Sequence, residues 1–177
     1  MRVIAGEFRS RVLKTLPGMD VRPTPDRLRE ALFSILAPRL EGTVFLDAYA
    51  GTGSVGIEAL SRGASRAVFI EKNRAAMLVL RENLRSLKIE GRADVASGSA
   101  VKLIGGYQAD IVFLDPPYPL EGEYASVLNM LGKSPPELAI AQHASRFELA
   151  ESYGALVRFR VLKQGDNSLS FYRPPEI

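Results

Sequence analysis

TVFLDAYAGTGSVGIEALSRG, residues 43–63, decides the fold. A continuous apolar run ends in Asp47, glycines follow at 51, 53 and 56, and a helical pattern opens at 54. Strand, glycine turn and helix in that order make the first half of a βαβ unit. Glycines permit positive φ and close backbone approach, and a helix start offers N–H groups to a ligand. The next strand, AVFIE at 67–71, closes on Glu71, 24 residues after Asp47. An acidic side chain there is placed to accept hydrogen bonds from ribose hydroxyls. The two strand ends together predict a nucleoside-containing ligand lying across them.

The alternation continues outward. A helix is expected over 74–87 with Ala75, Leu78, Val79 and Leu84 inward, then strands at 93–97 and 109–115, a helix at about 122–132 and a strand at 138–142. Continuous apolar strands separated by helices mean a parallel sheet covered on both faces. The tail differs: 155–163 and 168–173 alternate with period two around Gln164-Gly-Asp-Asn167, which predicts an antiparallel hairpin. On the amino-terminal side, residues 1–20 read as a small hairpin or extended arm. Thr24 and Pro25 then start an amphipathic helix as N-cap and first helical residue. Its apolar face carries Leu28, Ala31, Leu32, Ile35 and Leu36, and it ends near Pro38. The expected organisation is an arm and helix, 1–38, packed on a main α/β domain, 39–177.

Composition narrows the function. The chain has 177 residues, enough for one full core without staples, and no cysteine, which removes disulfides, thiolate catalysis and cysteine-ligated zinc. One histidine, His143, cannot build a histidine-rich metal site, so no metal is expected. No apolar run approaches the roughly 18 residues of a membrane span, and no signal-peptide pattern opens the chain, so the expected location is cytoplasmic. Charge is uneven: residues 1–29 hold seven Arg or Lys against three acids, while the remainder holds 16 basic and 17 acidic residues. A basic arm on a near-neutral body suits a polyanion, although charge alone is equally consistent with a solvated surface.

Asp47 sharpens the ligand. Gly51, Gly53 and Gly56 satisfy the dinucleotide pattern, which would suggest a nicotinamide cofactor. A carboxylate at the end of the first strand repels pyrophosphate and suits an amino group. S-adenosylmethionine has an ammonium, a sulfonium and a ribose, and no phosphate. Strand 109–115 then runs into Asp115-Pro116-Pro117-Tyr118, at the sheet edge where α/β folds bind ligands. The prolines donate no N–H, which leaves the Pro116 carbonyl and the Asp115 carboxylate as acceptors beside a stacking ring. That set matches a planar exocyclic amine, whose two protons are held while its base stacks. With a sulfonium leaving group the reaction needs in-line positioning rather than a strong base.

With these residues in hand, the chain resembles class I S-adenosylmethionine-dependent methyltransferases acting on exocyclic amines. More narrowly, it is similar to the bacterial 16S ribosomal RNA guanine-N2 methyltransferases, through Met1-Arg-Val-Ile-Ala-Gly-Glu-Phe-Arg9, Arg22-Pro-Thr-Pro-Asp-Arg-Leu-Arg-Glu-Ala-Leu-Phe33 and Glu58-Ala-Leu-Ser-Arg-Gly-Ala64. The resemblance implies a doubly wound, seven-stranded methyltransferase sheet with a short amino-terminal extension. It also implies a monomer acting on 16S ribosomal RNA within an assembling small subunit. By the same resemblance Thr24, Asp47, Ala50, Gly51, Gly53, Glu71, Lys72 and Ser99 hold S-adenosylmethionine, and Asp115, Pro116, Pro117 and Tyr118 hold the guanine. Arg2, Arg9, Arg11, Arg22 and Arg27 meet RNA. Three positions depart from the family pattern. Ser99 stands where Asp or Asn often binds the adenine amine, Gln142 where Glu is common, and Gln164 where Tyr is expected. The competing readings are an adenine-N6 methyltransferase, which shares Asp-Pro-Pro-Tyr, a non-catalytic RNA-binding assembly factor, and a nicotinamide oxidoreductase. His143 reads as a packing residue.

Overall fold

A computed structural model describes residues 1–18 and 25–176. Thr24 and Arg22 lie outside the described residues. The chain builds α1 (Asp26–Leu40), β1 (Val44–Asp47), α2 (Ser54–Ser61), β2 (Arg66–Glu71), α3 (Arg74–Ser86), β3 (Ala93–Ser97) and α4 (Ala100–Leu103). There follow β4 (Ile111–Leu114), α5 (Glu123–Lys133), β5 (Leu138–Ala144), β6 (Ser152–Tyr153), β7 (Leu156–Gln164) and β8 (Asn167–Arg173). Strand order is β3-β2-β1-β4-β5-β8-β7-β6. The first five strands are parallel, and β8 returns antiparallel between β5 and β7. The seven expected strands are joined by an eighth, the two-residue β6, which caps the β7 edge. Among the described residues no helix is long and apolar enough to cross a membrane.

Two apolar layers cover the sheet. One joins Leu28, Leu32, Phe33 and Leu36 of α1 to Phe45, Phe69, Ile57 and Leu80. The other packs Tyr124, Val127 and Leu128 of α5 against Leu46, Val68, Val112 and Tyr172. Order reverses between β1 and β4, so the carboxyl ends of β1, β2 and β4 diverge there and open a crevice.

Several helix faces differ from expectation. Pro25 is the N-cap of α1 rather than its first helical residue, and the helix passes through Pro38 to end at Leu40. The hydrogen bond that Pro38 cannot donate is missed at Ser34, on the solvent-exposed side, while buried Leu40 anchors the final turn. On that helix Arg29 and Phe33 are fully buried, whereas Ala31 and Ile35 are only partly so. In α3 the buried residues are Ala76, Leu80, Asn83 and Leu84, Ala75 and Leu78 are exposed, and Val79 is intermediate. Asn83 turns inward because its amide makes three hydrogen bonds to two chain segments: Oδ1 accepts from Lys14 N at 2.8 Å, and Nδ2 donates to the Lys14 and Thr52 carbonyls. β5 also runs past 142 to Ala144, so Gln142 and His143 lie within it, opposite Leu169 and Ser168.

The amino-terminal residues form the small hairpin, with Arg2 bridged to Val12 and Leu13 N donating to Met1 O. Glu58 fastens it. Its carboxylate accepts from Ile4 N at 2.9 Å and Ala5 N at 3.0 Å, and pairs with Arg62 at 2.8 Å and Arg29 at 3.7 Å. Glu58 and Arg29 side chains are both fully buried. Two such charges persist inside only as partners, and removing one typically costs about 3–5 kcal/mol.

Candidate active site

A cleft of about 760 Å³ opens at the carboxyl ends of β1, β2 and β4. The turn after β1 forms its floor. Gly51 has φ +57 and Gly53, the N-cap of α2, has φ +96, a region costly for any residue with a side chain. A Cβ at Gly53 would overlap Leu80 Cδ1, and one at Gly56 would overlap the Phe69 ring. The glycines therefore let α2 press onto the sheet and let the backbone of the turn face the cleft.

Asp47 lines this cleft at 1% exposure. Its Oδ2 accepts from Gly56 N at 3.2 Å, and Oδ1 has no hydrogen-bond partner among the described residues. Burial, aided by the charges of Asp115 and Glu71 and opposed by the backbone hydrogen bond from Gly56, pushes its carboxyl up to about 7. A buried, half-satisfied carboxylate under a cleft wall favours a cationic ligand above it. Glu71 is held on both oxygens: Oε1 accepts from Gly51 N and Oε2 from Asn73 N, each at 2.7 Å. It thus locks the glycine turn to the end of β2, and each oxygen keeps a further lone pair for a hydroxyl donor.

Ala50, Gly51, Lys72 and Ser99 also line the cleft, so the described members of the expected cofactor set share it, apart from Gly53 behind the turn. Ser99 is the N-cap of α4 and makes no side-chain cap bond. All four residues of the Asp115–Tyr118 tetrad line the same cleft. Pro116 is buried, and Tyr118 is 49% exposed at the start of a 3-10 turn, Tyr118–Leu120. Its hydroxyl accepts from Arg146 Nη2 at 2.6 Å, and the guanidinium carbon lies 5.3 Å from the ring centre.

Arg2, Arg9, Arg11 and Arg27 are exposed and none lines the cleft. Arg11 donates to Ser86 O at the end of α3, and Phe8 N beside Arg9 donates to Ser61 Oγ at the end of α2. Both helices begin on the cleft side, so Arg9 and Arg11 sit at the opposite end of the layer. The hairpin's own ends do reach the cleft, through Met1, Thr15, Leu16 and Gly18. Sequence reading missed those four residues, because only the anchors at Glu58 and Asn83 bring them there. It also missed Tyr49, whose hydroxyl donates to Glu123 Oε1 at 2.7 Å and ties the glycine turn to α5. Burial and the Glu123 charge hold the Tyr49 phenol well above its ordinary range. His143 is buried in β5, with Nε2 2.8 Å from Ser170 Oγ and Nδ1 2.9 Å from Ala144 O, and burial lowers its pKa. It does not line the cleft. Gln142 is buried with Oε1 unpartnered among the described residues, and Gln164 pairs with Asn167 at the hairpin end.

A reversed α/β sheet with an acid-flanked glycine turn and an Asp-Pro-Pro-Tyr edge defines a class I methyltransferase fold. The chain belongs to the family described as Conserved hypothetical protein 95, whose sequence model matches residues 1–173. It is 33% identical over 98% of both chains to the Bacillus subtilis protein named "Putative rRNA methyltransferase YlbH". It is also 41% identical to the Escherichia coli ribosomal RNA small subunit methyltransferase D, over 74% of this chain and 66% of that one. Among solved structures it superposes on "Putative methyltransferase yhhF" from Escherichia coli with TM-score 0.87 and 33% identity, covering 98% and 97% of the two chains. An RNA methyltransferase of Salinibacter ruber, solved with S-adenosyl-L-homocysteine, shares the fold at TM-score 0.68 and 17% identity, over 88% of this chain and 96% of that one.

Proposed function

We propose that the protein transfers a methyl group from S-adenosylmethionine to the exocyclic N2 amine of a guanosine in 16S ribosomal RNA. The observation that carries this reading is the sharing of one cleft by Asp47, Glu71 and the Asp115–Tyr118 tetrad. The names of the relatives supply the RNA.

Bound in the cleft, S-adenosylmethionine supplies an electrophilic methyl on a sulfonium. Asp47 beneath the wall attracts the ammonium, while Glu71 and the Ala50–Gly51 backbone take the ribose and methionine parts. Lys72 and Ser99 border the nucleoside, and Thr24 meets the carboxylate. Asp115 and the Pro116 carbonyl hold the two amine protons, Pro117 keeps that carbonyl rigid, and Tyr118 stacks on the base. Hydrogen bonds from the amine return electron density to a nitrogen otherwise delocalised into the ring. They also stabilise the positive charge that grows on it as the methyl leaves sulfur, which is electrostatic catalysis by preorganised acceptors, and Asp115 takes the proton that the methylated amine then sheds. Residues 1–38 serve as an RNA-engaging extension of the catalytic domain 39–177, with Arg2, Arg9, Arg11, Arg22 and Arg27 on phosphates. The substrate is the RNA in a cytoplasmic small-subunit assembly particle, and the enzyme acts as a monomer.

The test is nucleoside mass spectrometry of small-subunit RNA from cells with and without the gene, with methyl transfer to the unmodified particle by purified protein. Loss of one N2-methylguanosine, restored in vitro, is the expected outcome. Appearance of N6-methyladenosine instead would keep the tetrad chemistry and overturn the base assignment.

A further inference from the structure

We propose that a second groove, beside the cleft and beyond Tyr118, holds the phosphodiester next to the target guanosine, on Arg146 and Lys163. The proposal rests on the RNA reading of the cleft and extends it to the path of the strand.

The groove has a volume of about 510 Å³, and Tyr118 is the residue it shares with the cleft. Its other walls are the segment after β5, with Ser145 and Arg146, and the β7–β8 turn, with Lys163, Asp166 and Asn167. These walls are tied together: Ser145 N donates to Asp166 O at 2.8 Å, and Ser145 Oγ bonds Gly165 O at 3.0 Å and lies 2.9 Å from Ser168 Oγ. The turn is therefore fixed relative to the Ser145–Arg146 segment.

The chemistry of the groove is polar and net cationic. Among its lining residues Arg146 and Lys163 are exposed against the carboxylate of Asp166, and Glu121, outside the lining, also acts on Arg146. Arg146 gives one N–H to the Tyr118 hydroxyl at 2.6 Å. A guanidinium carries five such donors in a planar fork, so that bond leaves capacity for a phosphate. Tyr118 faces the cleft as part of its lining and turns its hydroxyl toward Arg146 on the groove side. A base stacked at Tyr118 must continue into a sugar and phosphate, and this groove is the cationic exit next to that ring. Arg9 and Arg11 of the amino-terminal hairpin lie away from this phosphate, at the far ends of α2 and α3. Arg146 is thus a positioning residue, orienting the Tyr118 ring while anchoring the strand.

The experiment measures binding of small-subunit RNA, prepared from cells lacking the gene, to the full-length protein across a salt series. Each phosphate contact on a single strand contributes about 0.7 to the slope of log affinity against log salt. The Arg146→Ala, Lys163→Ala pair gives up the one phosphodiester the groove holds and should lower the slope by about 0.7, with parental S-adenosylhomocysteine binding showing that the fold is kept. Arg146→Lys should recover the slope, Lys163→Ala alone should raise KM for RNA with kcat unchanged, and Asp166→Asn should tighten binding. A structural role alone would not produce tighter binding on loss of the carboxylate. If the parental protein methylates the RNA and the double variant keeps the parental slope and KM, the groove assignment is overturned and the catalytic reading stands. If the parental protein binds with a slope that the pair lowers but leaves the guanosines of the unmodified small-subunit particle unmethylated, the groove assignment stands and the catalytic reading falls.

Discussion

The two walls of the cleft are made differently. On the Asp47–Glu71 side the acidic groups are tied to backbone: Glu71 to Gly51 and Asn73, Asp47 to Gly56. Their positions follow from strand pairing and glycine geometry, and no long side chain has to be ordered. On the Tyr118 side the ring is half exposed, follows two prolines, and is held by an arginine 28 residues away. One wall is preorganised for a small ligand of constant shape. The other can adjust by a rotamer to a macromolecular strand. The difference teaches that a single cleft can divide rigidity and adaptability between its substrates.

The strongest way to break this comparison is Asp115→Ala. If Asp115 serves the base alone, methyl transfer should fall on the order of 10²–10³-fold, while calorimetric S-adenosylhomocysteine affinity stays parental. Equal loss of both would merge the two walls into one. Next in size is Glu71→Ala on the rigid wall. Removing an acceptor for ribose hydroxyls, and the staple on Gly51 with it, should weaken cofactor binding by about 1–3 kcal/mol with RNA affinity unchanged; a change confined to RNA affinity would place Glu71 on the wrong wall.

Asp47 gives a pH signature. Its pKa of about 7 in the folded chain lies above that of an unfolded aspartate, so its contribution to ligand-free stability falls as pH rises toward 7. Asp47→Asn should therefore stabilise the ligand-free protein at pH 8 in urea titrations and leave it little changed at pH 4. A cationic ligand favours the ionised form, so cofactor affinity should drop by up to about tenfold per pH unit below 7. The Asn variant should bind more weakly and with a flatter profile. An unaltered profile would show that Asp47 does not titrate in the cleft.

The smallest effect separates stacking from hydrogen bonding on the adaptable wall. Tyr118→Phe keeps the ring but loses the Arg146 contact to the hydroxyl and should slow transfer a few-fold, about 0.5–1.5 kcal/mol. Tyr118→Ala, which removes the ring, should cost about 1–3 kcal/mol of RNA affinity. If Phe and Ala behave alike in steady-state kinetics, the hydroxyl rather than the ring matters.

The rigid wall was the legible one. Asp47, the three glycines and Glu71 read correctly as a turn between two strands because their roles are set by neighbours within about 25 positions. The hairpin at Gly165 followed from periodicity in the same way. What stayed hidden depends on distant partners. Arg29 reads as a solvated charge until Glu58 is placed against it, and Asn83 reads as polar surface until Lys14 and Thr52 arrive. Leu78, by contrast, satisfies an apolar helix stripe and is 53% exposed, because Asn83 fixes the rotation of α3 by hydrogen bonds that hydrophobicity does not register. β5 reaches Ala144 because β8 supplies ladder partners for His143 and Ala144, which the apolar run ending at 142 could not reveal.

Glu58 has a kinetic consequence. The hairpin docks through residues 53 to 69 positions further along the chain, at Glu58, Ser61 and Asn83. Such contacts close long loops, so they form after the local turns and helices have done so. During synthesis the hairpin leaves the ribosome ahead of everything it binds, and it has no seat until α1 and α2 have met around the Arg29–Glu58 pair. Met1 and Thr15 reach the cleft rim only once that seat exists, so a nascent chain acquires its glycine turn well before it acquires a finished pocket.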